Sequence, residues 1–345
     1  MSDETSPIEA PVTLGLIGAG GFGRQHLTAA ERIPEVVIGA ILSRSLSGYP
    51  GAAIYQRLDR FLAHPGLQGV IIVAPNPQHQ ELVLAALRAG QHVLVEKPLT
   101  NGLSEGAILV REATVRKLSL AVGHNSRRAA HVRAMRRLLD DGTLGRIILA
   151  EGHFSHDAGQ RIEVGNWRWS PMTCPGGPLN LLGIHEIDTL QYLLGPIVHV
   201  SGWLRRLATP AEIPDAAVTL FEFESGALAY AGNSYASPWA RSLRLFGTRG
   251  NARWEDSGEL RLDTPDDQHR TIALVEVDTL AEQISDFAAS IRHACPSEVD
   301  GLTGLRNVAV LEAAIESNRR GVPVAVREMY ERAGVLDLHL EAESR

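Results

Sequence analysis

A short apolar segment, Val12–Ile17, runs directly into Gly18-Ala19-Gly20-Gly21-Phe22-Gly23, and residues 24–32 then follow a helical pattern. Strand, glycine turn and helix in this order constrain the fold strongly. Small residues let the main chain approach a pyrophosphate at the N-terminus of a helix. The alternative interpretation is a glycine-rich turn without a ligand. The segment predicts an α/β fold that binds a dinucleotide through Gly18, Gly20, Gly21, Phe22 and Gly23.

The second predicted strand, Val36–Leu42, ends in the turn Ser43-Arg44-Ser45. In such a fold this turn lies beside the adenosine ribose, where chains that bind NAD usually carry an acidic residue. The turn has no acidic residue, and a hydroxyl beside a guanidinium can bind a 2′-phosphate. Ser43 and Arg44 therefore favour NADP as the cofactor, with NAD as the alternative.

Two further apolar segments, residues 69–74 and 92–95, predict buried strands of a parallel sheet. The first ends at Ala74-Pro75-Asn76, shortly before His79, and the second ends at Glu96-Lys97-Pro98. Open parallel sheets bind ligands at the carboxyl ends of their strands. We therefore expect a first domain over residues 11–123, with cofactor contacts from Ala74, Pro75, Asn76, His79, Glu96 and Lys97.

Lysine is rare in this chain. Among 33 lysines and arginines, only Lys97 and Lys117 are lysine. The ammonium group is a compact charge with a tunable pKa, whereas a guanidinium stays planar and protonated. Lys117 follows Arg116 at the end of a helical pattern, which is typical of a solvated surface residue. Lys97 follows a predicted buried strand, so it is the candidate for chemistry.

Beyond Gly123 the pattern changes to a helix over residues 130–140 and then to mainly alternating segments. A hairpin turn at Ser225-Gly226 separates two of these segments. The patterns predict a second, antiparallel-rich α+β domain over residues 124–330, with tails at residues 1–10 and 331–345. Its predicted elements are strands over residues 147–154, 217–223 and 227–230 and helices over residues 179–194 and 302–320.

Composition excludes several classes of function. The net charge is −7 at pH 7 and the isoelectric point is about 6.0. The chain has no basic run with interleaved aromatic residues, which argues against nucleic acid and anionic membranes as partners. No segment approaches the length of a membrane span, and the N-terminus lacks the features of a secretory signal. A cytoplasmic protein with a small-molecule partner is the expectation.

A metal site is not expected. The two cysteines, Cys174 and Cys295, are far apart and form neither a disulfide framework nor a metal-binding pair. His153, His156 and Asp157 lie close together in the sequence. A strand would nevertheless place the two histidines on opposite faces.

Several ordered motifs resemble the Gfo/Idh/MocA oxidoreductases, named for glucose-fructose oxidoreductase and inositol dehydrogenase. The resemblance covers nearly the whole chain, and Glu96-Lys97-Pro98 after a strand is its most specific part. The other carriers are residues 18–23, the segment from Ala74-Pro75-Asn76 to His79, residues 142–145, the stretch from Gly176-Gly177 to His185-x-x-Asp188, and residues 247–250.

The resemblance implies a Rossmann domain followed by a domain built on a large, mostly antiparallel open sheet. That sheet commonly forms the subunit interface, so a homodimer or homotetramer is expected. The resemblance also implies hydride transfer between nicotinamide and a sugar, cyclitol or related alcohol. By position, Lys97 and His185 would act on the substrate oxygen.

Those two roles also make sense chemically. Oxidation of a secondary alcohol requires a base with a pKa near neutrality at the hydroxyl, and His185 fits this role. A cation beside the same oxygen stabilises its alkoxide character, and Lys97 fits this second role. The alternatives are a capping or core histidine and a salt-bridged surface lysine.

One position departs from the family pattern. Many members carry an aspartate four residues before the histidine, where this chain has Leu181. Asp188 lies three residues after His185 and can share its helix face, so it is a candidate to orient the imidazole or bind substrate, or to act structurally. Weaker substrate candidates, each of which can equally belong to the scaffold, are Arg127, Asn166, Trp167, Arg168 and Tyr235.

The sequence therefore predicts an NAD(P)-dependent dehydrogenase or reductase that acts on CH–OH groups of a small polyhydroxylated substrate. Two other functions stay open. One is a non-catalytic dinucleotide-binding sensor, which the loss of the aspartate at Leu181 favours and the presence of Lys97 and His185 opposes. The other is a redox-assisted lyase or glycosidase that recycles its cofactor internally.

Overall fold

A computed structural model describes residues 10–256, 258–266 and 269–343. Of the predicted N-terminal tail, residues 1–9 lie outside the described residues. In the described part, two sheets organise the chain. The strands of the first sheet are β1 (Val12–Ile17), β2 (Val36–Leu42), β3 (Ala53–Tyr55), β4 (Gly69–Ile72), β5 (His92–Glu96) and β6 (Leu120–Gly123).

The first sheet is parallel throughout, in the order β3-β2-β1-β4-β5-β6. This is the strand order of a Rossmann fold, and the order reverses between β1 and β4, where such folds bind dinucleotides. The central strand β4 is buried along its whole length, which explains its continuous apolar sequence. The connecting helices are α1 (Gly21–Ala30), α2 (Leu58–Leu62), α3 (His79–Arg88) and α4 (Leu103–Arg116).

The second sheet has nine strands in the described residues and is mostly antiparallel, as expected. Its order is β14-β13-β12-β11-β7-β10-β9-β8-β15, and β7 and β10 pair in parallel. The strands are β7 (Ile147–Ser155), β8 (Ile197–Arg205), β9 (Ala216–Phe223), β10 (Leu228–Ser234), β11 (Ala240–Gly247), β12 (Asn251–Glu255), β13 (Leu260–Asp263), β14 (Arg270–Ile272) and β15 (Val324–Ala325).

One face of the second sheet packs on helices, and no described segment covers the other face. In β9 every second residue is buried, and the residues between them, such as Val218 and Leu220, are exposed. The remaining helices are α5 (Ala130–Asp140), α6 (Ile184–Leu194), α7 (Thr279–His293), α8 (Gly301–Arg320), α9 (Val326–Ala333) and α10 (Leu336–Glu343). Among the described helices, none is both long and apolar enough to cross a membrane.

The structure corrects two of the predicted boundaries. Helix α7 belongs by sequence to the predicted second domain, yet Ile284 and Phe287 pack in one core with Leu14 and Leu16 of the first sheet. The chain therefore returns to the first sheet after building the second. The predicted C-terminal tail also contains structure, since α10 lies within it and Leu338 is buried.

The predicted helix over residues 179–194 consists of two parts. Residues Leu179–Gly183 form a π-helical turn, and α6 follows. At its start, Asn180 accepts a hydrogen bond from the main-chain nitrogen of Gly176 through Oδ1. Gly183 lies against Asn233 of β10, where a Cβ would come within 2.5 Å of Oδ1. The contact at Gly183 holds the wide turn against the second sheet.

Candidate active site

A cleft of about 820 Å³ lies between the carboxyl edge of the first sheet and the end of the second. It brings together most of the residues that the sequence singled out. The predicted site residues on its wall are Gly20, Gly21, Phe22, Gly23, Ala74, Pro75, Asn76, Glu96, Lys97, Trp167, Arg168, His185 and Tyr235.

The glycine turn leaves room for a ligand. Gly18 has a φ of +95°, and a Cβ there would come within 2.1 Å of the carbonyl oxygen of Val73, so only glycine fits. At Gly20 and Gly21, by contrast, a Cβ would meet nothing within 4 Å. The first turn of α1 therefore opens directly onto the cleft, as pyrophosphate binding requires.

Asn76 supports the same assignment. Its side chain is buried on the cleft wall, and Nδ2 has no hydrogen-bond partner among the described residues. A buried donor without a partner is unfavourable by about 1–3 kcal/mol, which a polar ligand in the cleft would relieve. The open glycine turn and this free amide fit a dinucleotide.

Glu96 helps to build the cleft wall. Its carboxylate accepts a hydrogen bond from His26 at 2.9 Å, and both side chains are buried. His26 lies on α1 and Glu96 ends β5, so the pair joins the glycine-turn helix to the strand that carries Lys97. The Glu96 carboxylate is therefore engaged within the protein.

Lys97 follows β5 and lies at the base of the cleft. Its Nζ donates a hydrogen bond to the main-chain carbonyl of Leu181 at 2.7 Å. Burial lowers the pKa of Lys97 to about 8, and the nearby charge of Arg168 also lowers it while Glu96 opposes this. The ammonium group is thus mostly protonated at neutral pH, and its charge can be lost within reach of that pH.

His185 lies in the first turn of α6, on the same cleft wall. Its Nδ1 and the Ser126 hydroxyl are 2.9 Å apart, in a hydrogen bond. Burial, together with the charges of Lys97 and Arg241, holds the pKa of His185 well below its usual value. The ring is therefore neutral near pH 7, and its pKa is lower than the near-neutral value expected of the base.

Asp188 does not orient His185, which corrects one of the two functional roles considered for it. The carboxylate is fully buried and accepts hydrogen bonds from Arg127 Nε at 2.9 Å and from Asn307 Nδ2 at 2.7 Å. Arg127, a weaker substrate candidate, is also buried and lies outside the cleft lining. The two residues form a structural ion pair behind His185.

Two further predicted site residues lie elsewhere. His79 is fully buried, and its ring nitrogens contact the carbonyl oxygens of Pro98 and Ala74 at 2.7 and 3.0 Å. It therefore joins the two strand ends and does not line the cleft. Asn166 is exposed outside the cleft, and its Oδ1 accepts a hydrogen bond from the main-chain nitrogen of Arg168.

The turn after β2 lies beyond the cleft lining. Ser43 is buried, and its Oγ accepts hydrogen bonds from the main-chain nitrogens of Ser45 and Leu46 at 3.3 and 3.1 Å. Arg44 is exposed beside it. Ser43 thus stabilises the turn, and Arg44 is exposed at the end of β2.

Sequence reasoning missed seven polar or aromatic residues of the cleft, and four of them lie in or next to strands β7 and β11. Phe154 and Arg241 pair across β7 and β11 and therefore lie on the same face of the sheet. Nothing in either sequence segment indicates that this end of the sheet lines the cleft. Ser126 gave no signal either. The additional lining residues that bear polar or aromatic groups are Gln25, Asn125, Ser126, Phe154, His156, Trp239 and Arg241.

No group of three or more His, Cys, Asp and Glu side chains in the described ranges is arranged to hold a metal ion. Lys97 and His185 line the cleft together with the glycine turn.

Comparison with known proteins assigns the family. Residues 12–124 match the oxidoreductase family with an NAD-binding Rossmann fold, and residues 132–253 match the GFO/IDH/MocA C-terminal domain. The chain belongs to the Gfo/Idh/MocA family. Membership agrees with the resemblance drawn from the motifs and makes this protein part of an NAD-binding oxidoreductase family.

Two relatives match this Gfo/Idh/MocA protein over more than nine-tenths of its length. It is 26% identical to the uncharacterized oxidoreductase YrbE of Bacillus subtilis, over 91% of this chain and 96% of that protein. It is also 26% identical to inositol 2-dehydrogenase 3 of Saccharopolyspora erythraea, over 92% of this chain and 96% of that protein.

A solved structure has the same architecture. It is described as a putative NADPH-dependent oxidoreductase from Desulfitobacterium hafniense, with 29% identity and a TM-score of 0.89. The match covers 93% of this chain and 99% of that one. Both sheets of the Gfo/Idh/MocA protein therefore recur in that structure.

Proposed function

We propose that this protein is an NAD(P)-dependent dehydrogenase or reductase that acts on a secondary alcohol or ketone of a sugar, cyclitol or related polyol. One observation carries the proposal. Lys97 and His185 line the same cleft as the open glycine turn. A proton acceptor and a cation thus lie beside the place where the family binds its dinucleotide.

The chemistry follows from the states of the two side chains. A nicotinamide held in the cleft would supply the chemistry of hydride transfer between an alcohol and the corresponding ketone. The neutral imidazole of His185 takes the hydroxyl proton of the alcohol and returns it in the reverse direction. The Lys97 ammonium, held by the Leu181 carbonyl, stabilises negative charge on the same oxygen.

The proposed cofactor is NADP, with NAD as the alternative. Arg44 is exposed on the turn after β2 and forms no ion pair or side-chain hydrogen bond with a described residue. A free guanidinium there favours a 2′-phosphate. The Desulfitobacterium hafniense protein, described as NADPH-dependent, supports the same preference.

The proposed substrate class rests on the chemistry of the cleft and on the relatives. Polar side chains from the part of the chain that builds the second sheet, including His156 and Tyr235, line the cleft together with Lys97. Such groups can bind several hydroxyls. The Saccharopolyspora erythraea relative is named for inositol, a cyclitol.

The test uses the absorbance of reduced nicotinamide with NADP and NAD across sugars, cyclitols and their keto forms. The wild-type protein should turn over at least one of these. Lys97→Met should lower kcat/KM by about 10²–10³-fold and His185→Asn by about 10²–10⁴-fold, while both still bind the dinucleotide. Lys117→Met, at the exposed second lysine, is the matched control and should keep full activity.

Two results would contradict the proposal. Unchanged activity in Lys97→Met would remove the lysine from the reaction. Tight dinucleotide binding without turnover of any compound would favour the sensor or an internally recycled cofactor.

We also propose that a second copy of this chain covers the outward face of the second sheet. Large apolar side chains on adjacent strands β8, β9 and β10 are 39–54% exposed there, and contiguous patches of this kind mark interaction sites. Light scattering should report a dimer or tetramer that Leu220→Arg dissociates and the exposed-surface control Val115→Arg does not. A monomeric wild type would contradict this. The members of the patch are Trp203, Val218, Leu220, Leu228 and Tyr230.

A further inference from the structure

Two arginines reach the cleft without an acidic partner. Arg168 and Arg241 both line it, and neither forms an ion pair or side-chain hydrogen bond with any described residue. Other arginines of the same region are paired. Arg127 binds Asp188, and Arg244, three residues after Arg241 on β11, binds Glu255 at 2.6 Å.

Arg241 is held by an aromatic ring. Its Cζ lies 4.8 Å from the centroid of the Phe154 ring, and the two residues pair across β11 and β7. Stacking on an aromatic face stabilises a guanidinium without consuming its five N–H donors. The side chain is therefore placed while its hydrogen-bonding edge stays available.

Arg168 is arranged in the same way. Its Cζ lies 4.3 Å from the ring centroid of Trp167. Its Nε is buried, and no described residue accepts a hydrogen bond from it. A buried charged donor without an acceptor is costly, so a ligand that supplies one would relieve the site.

The acidic groups near the cleft are already engaged. The Glu96 carboxylate accepts from His26, and Asp256 accepts from the Trp239 indole. Glu186 acts on Arg241 electrostatically, but it lies outside the cleft lining and is hydrogen-bonded to Asn233 Nδ2 at 3.1 Å. Burial also raises the pKa of Glu186 to about 7, so its charge is incomplete near neutrality.

The wall of the cleft thus carries a surplus of positive charge. Lys97, Arg168 and Arg241 contribute cations, whereas Glu96 is the acidic side chain of the described lining. Lys97 is assigned to the reacting oxygen, which leaves the two guanidiniums to bind something else. Guanidiniums match carboxylate and phosphate in a bidentate geometry.

We propose that the substrate carries an anionic group, a carboxylate or a phosphate, which Arg168 and Arg241 bind while the reacting hydroxyl lies at Lys97 and His185. This names the substrate class within the proposed function and rests on it. Both arginines come from the second-sheet side of the cleft, whereas the glycine turn that faces the cofactor phosphates is on the first. The anion is therefore a part of the substrate.

The experiment compares matched neutral and charged compounds: D-glucose with D-glucuronate and D-glucose 6-phosphate, and the same pairing in the galactose series. Both kcat/KM and the dissociation constant are measured, the latter by calorimetry on protein saturated with dinucleotide. The wild type should favour one charged member over its neutral partner by at least about 10-fold. The favoured member tells carboxylate from phosphate.

Substitutions test whether Arg168 and Arg241 produce the preference for the charged compound. Arg241→Gln and Arg168→Gln should each reduce the ratio of kcat/KM for the charged compound to kcat/KM for its neutral partner about 10-fold or more, and the dissociation constant of NADPH should change little. Arg244→Gln, on the same strand but paired with Glu255, is the control and should leave the preference intact.

Three outcomes would overturn the inference. In the first, the wild type binds and converts the neutral and charged compounds equally well. In the second, Arg241→Gln keeps the preference for the charged compound. In the third, Arg241→Gln weakens the binding of NADPH instead, which would assign the guanidinium to the cofactor. A charge preference in calorimetry without turnover of any compound would contradict the proposed reaction and leave the anion site standing. The two proposals therefore fail separately.

Discussion

Lys97 binds the main chain of Leu181: its Nζ donates to that carbonyl oxygen at 2.7 Å, across 84 residues of sequence. Many family members carry an aspartate at the position of Leu181, whereas in this protein the residue offers the ammonium group its main-chain carbonyl dipole and no carboxylate. A dipole stabilises a cation less than a full opposite charge does. Burial therefore keeps the pKa of Lys97 low, at about 8.

The first prediction concerns the pH dependence that follows. The ammonium form of Lys97 is the useful one, so kcat/KM should fall as the pH rises through about 8. Leu181→Asp should move this fall to higher pH, because a carboxylate beside Lys97 favours its protonated form. Leu181→Asn is the uncharged control and should not change the pH at which kcat/KM falls. An identical alkaline limb in the wild type and Leu181→Asp would contradict the assignment.

The second prediction concerns Ser126 as the positioning residue of His185. Ser126→Ala removes the hydrogen bond to Nδ1, so the imidazole loses its orientation and kcat should fall roughly 10-fold. The acid limb of the pH profile should shift as well, while the dissociation constant of NADPH stays the same. Ser290→Ala, at a buried serine of α7, is the control. Wild-type kcat and an unshifted acid limb in Ser126→Ala would show that the contact is incidental.

The third prediction concerns stability. Asp188→Leu leaves the buried Arg127 without its counter-charge and should lower the free energy of unfolding by about 3–5 kcal/mol. The double variant Asp188→Leu with Arg127→Met should recover part of this loss. Denaturant titration measures both. A single variant as stable as the wild type would mean that the pair is not needed for folding.

The same ion pair has a pH signature. Burial alone would raise the pKa of Asp188, but Arg127, His124 and Asn307 together lower it below its usual value. Its contribution to stability is therefore present above the unfolded pKa, about 3.9. It should disappear as the pH falls through the lower folded value, and acid unfolding of the double variant should lack this component.

The fourth prediction concerns cofactor choice. Arg44→Ala should weaken NADPH binding about 10-fold and leave NADH binding nearly unchanged, because only NADPH has the 2′-phosphate. Fluorescence titration with both dinucleotides measures the two constants. Arg57→Ala, an exposed arginine paired with Asp59, is the control. Equal effects on both dinucleotides, or no effect, would contradict the preference for NADP.

Local sequence predicted the first sheet well. Val12–Ile17 and Val36–Leu42 are strands over those very residues, because each is an apolar run stopped by a glycine turn or a polar turn. The positions of Asn76 and Lys97 on the cleft also followed from sequence, since both come just after parallel strands. These conclusions needed only local pattern and one topological rule.

The errors at the site have a common origin. Asp188 does lie one helical turn after His185. Its carboxylate nevertheless binds Arg127 and Asn307, which are far away in sequence, and does not bind the imidazole. His79 was placed correctly near the end of β4, but the carbonyl of Pro98 takes its ring out of the cleft. Helical spacing limits which side chains can come into contact. Partners that are distant in sequence then determine which of these contacts form.

The sequence by itself determined the Rossmann architecture, the open glycine turn and the two candidate groups, Lys97 and His185, because each depends on a short run of residues. Tertiary structure alone decided that Leu181 would hold Lys97 through its main chain, that Ser126 would bind His185, and that Arg241 would reach the cleft. Those contacts depend on how two sheets pack together. Periodicity reports which face a side chain occupies, and only the packing of that face determines what the side chain meets.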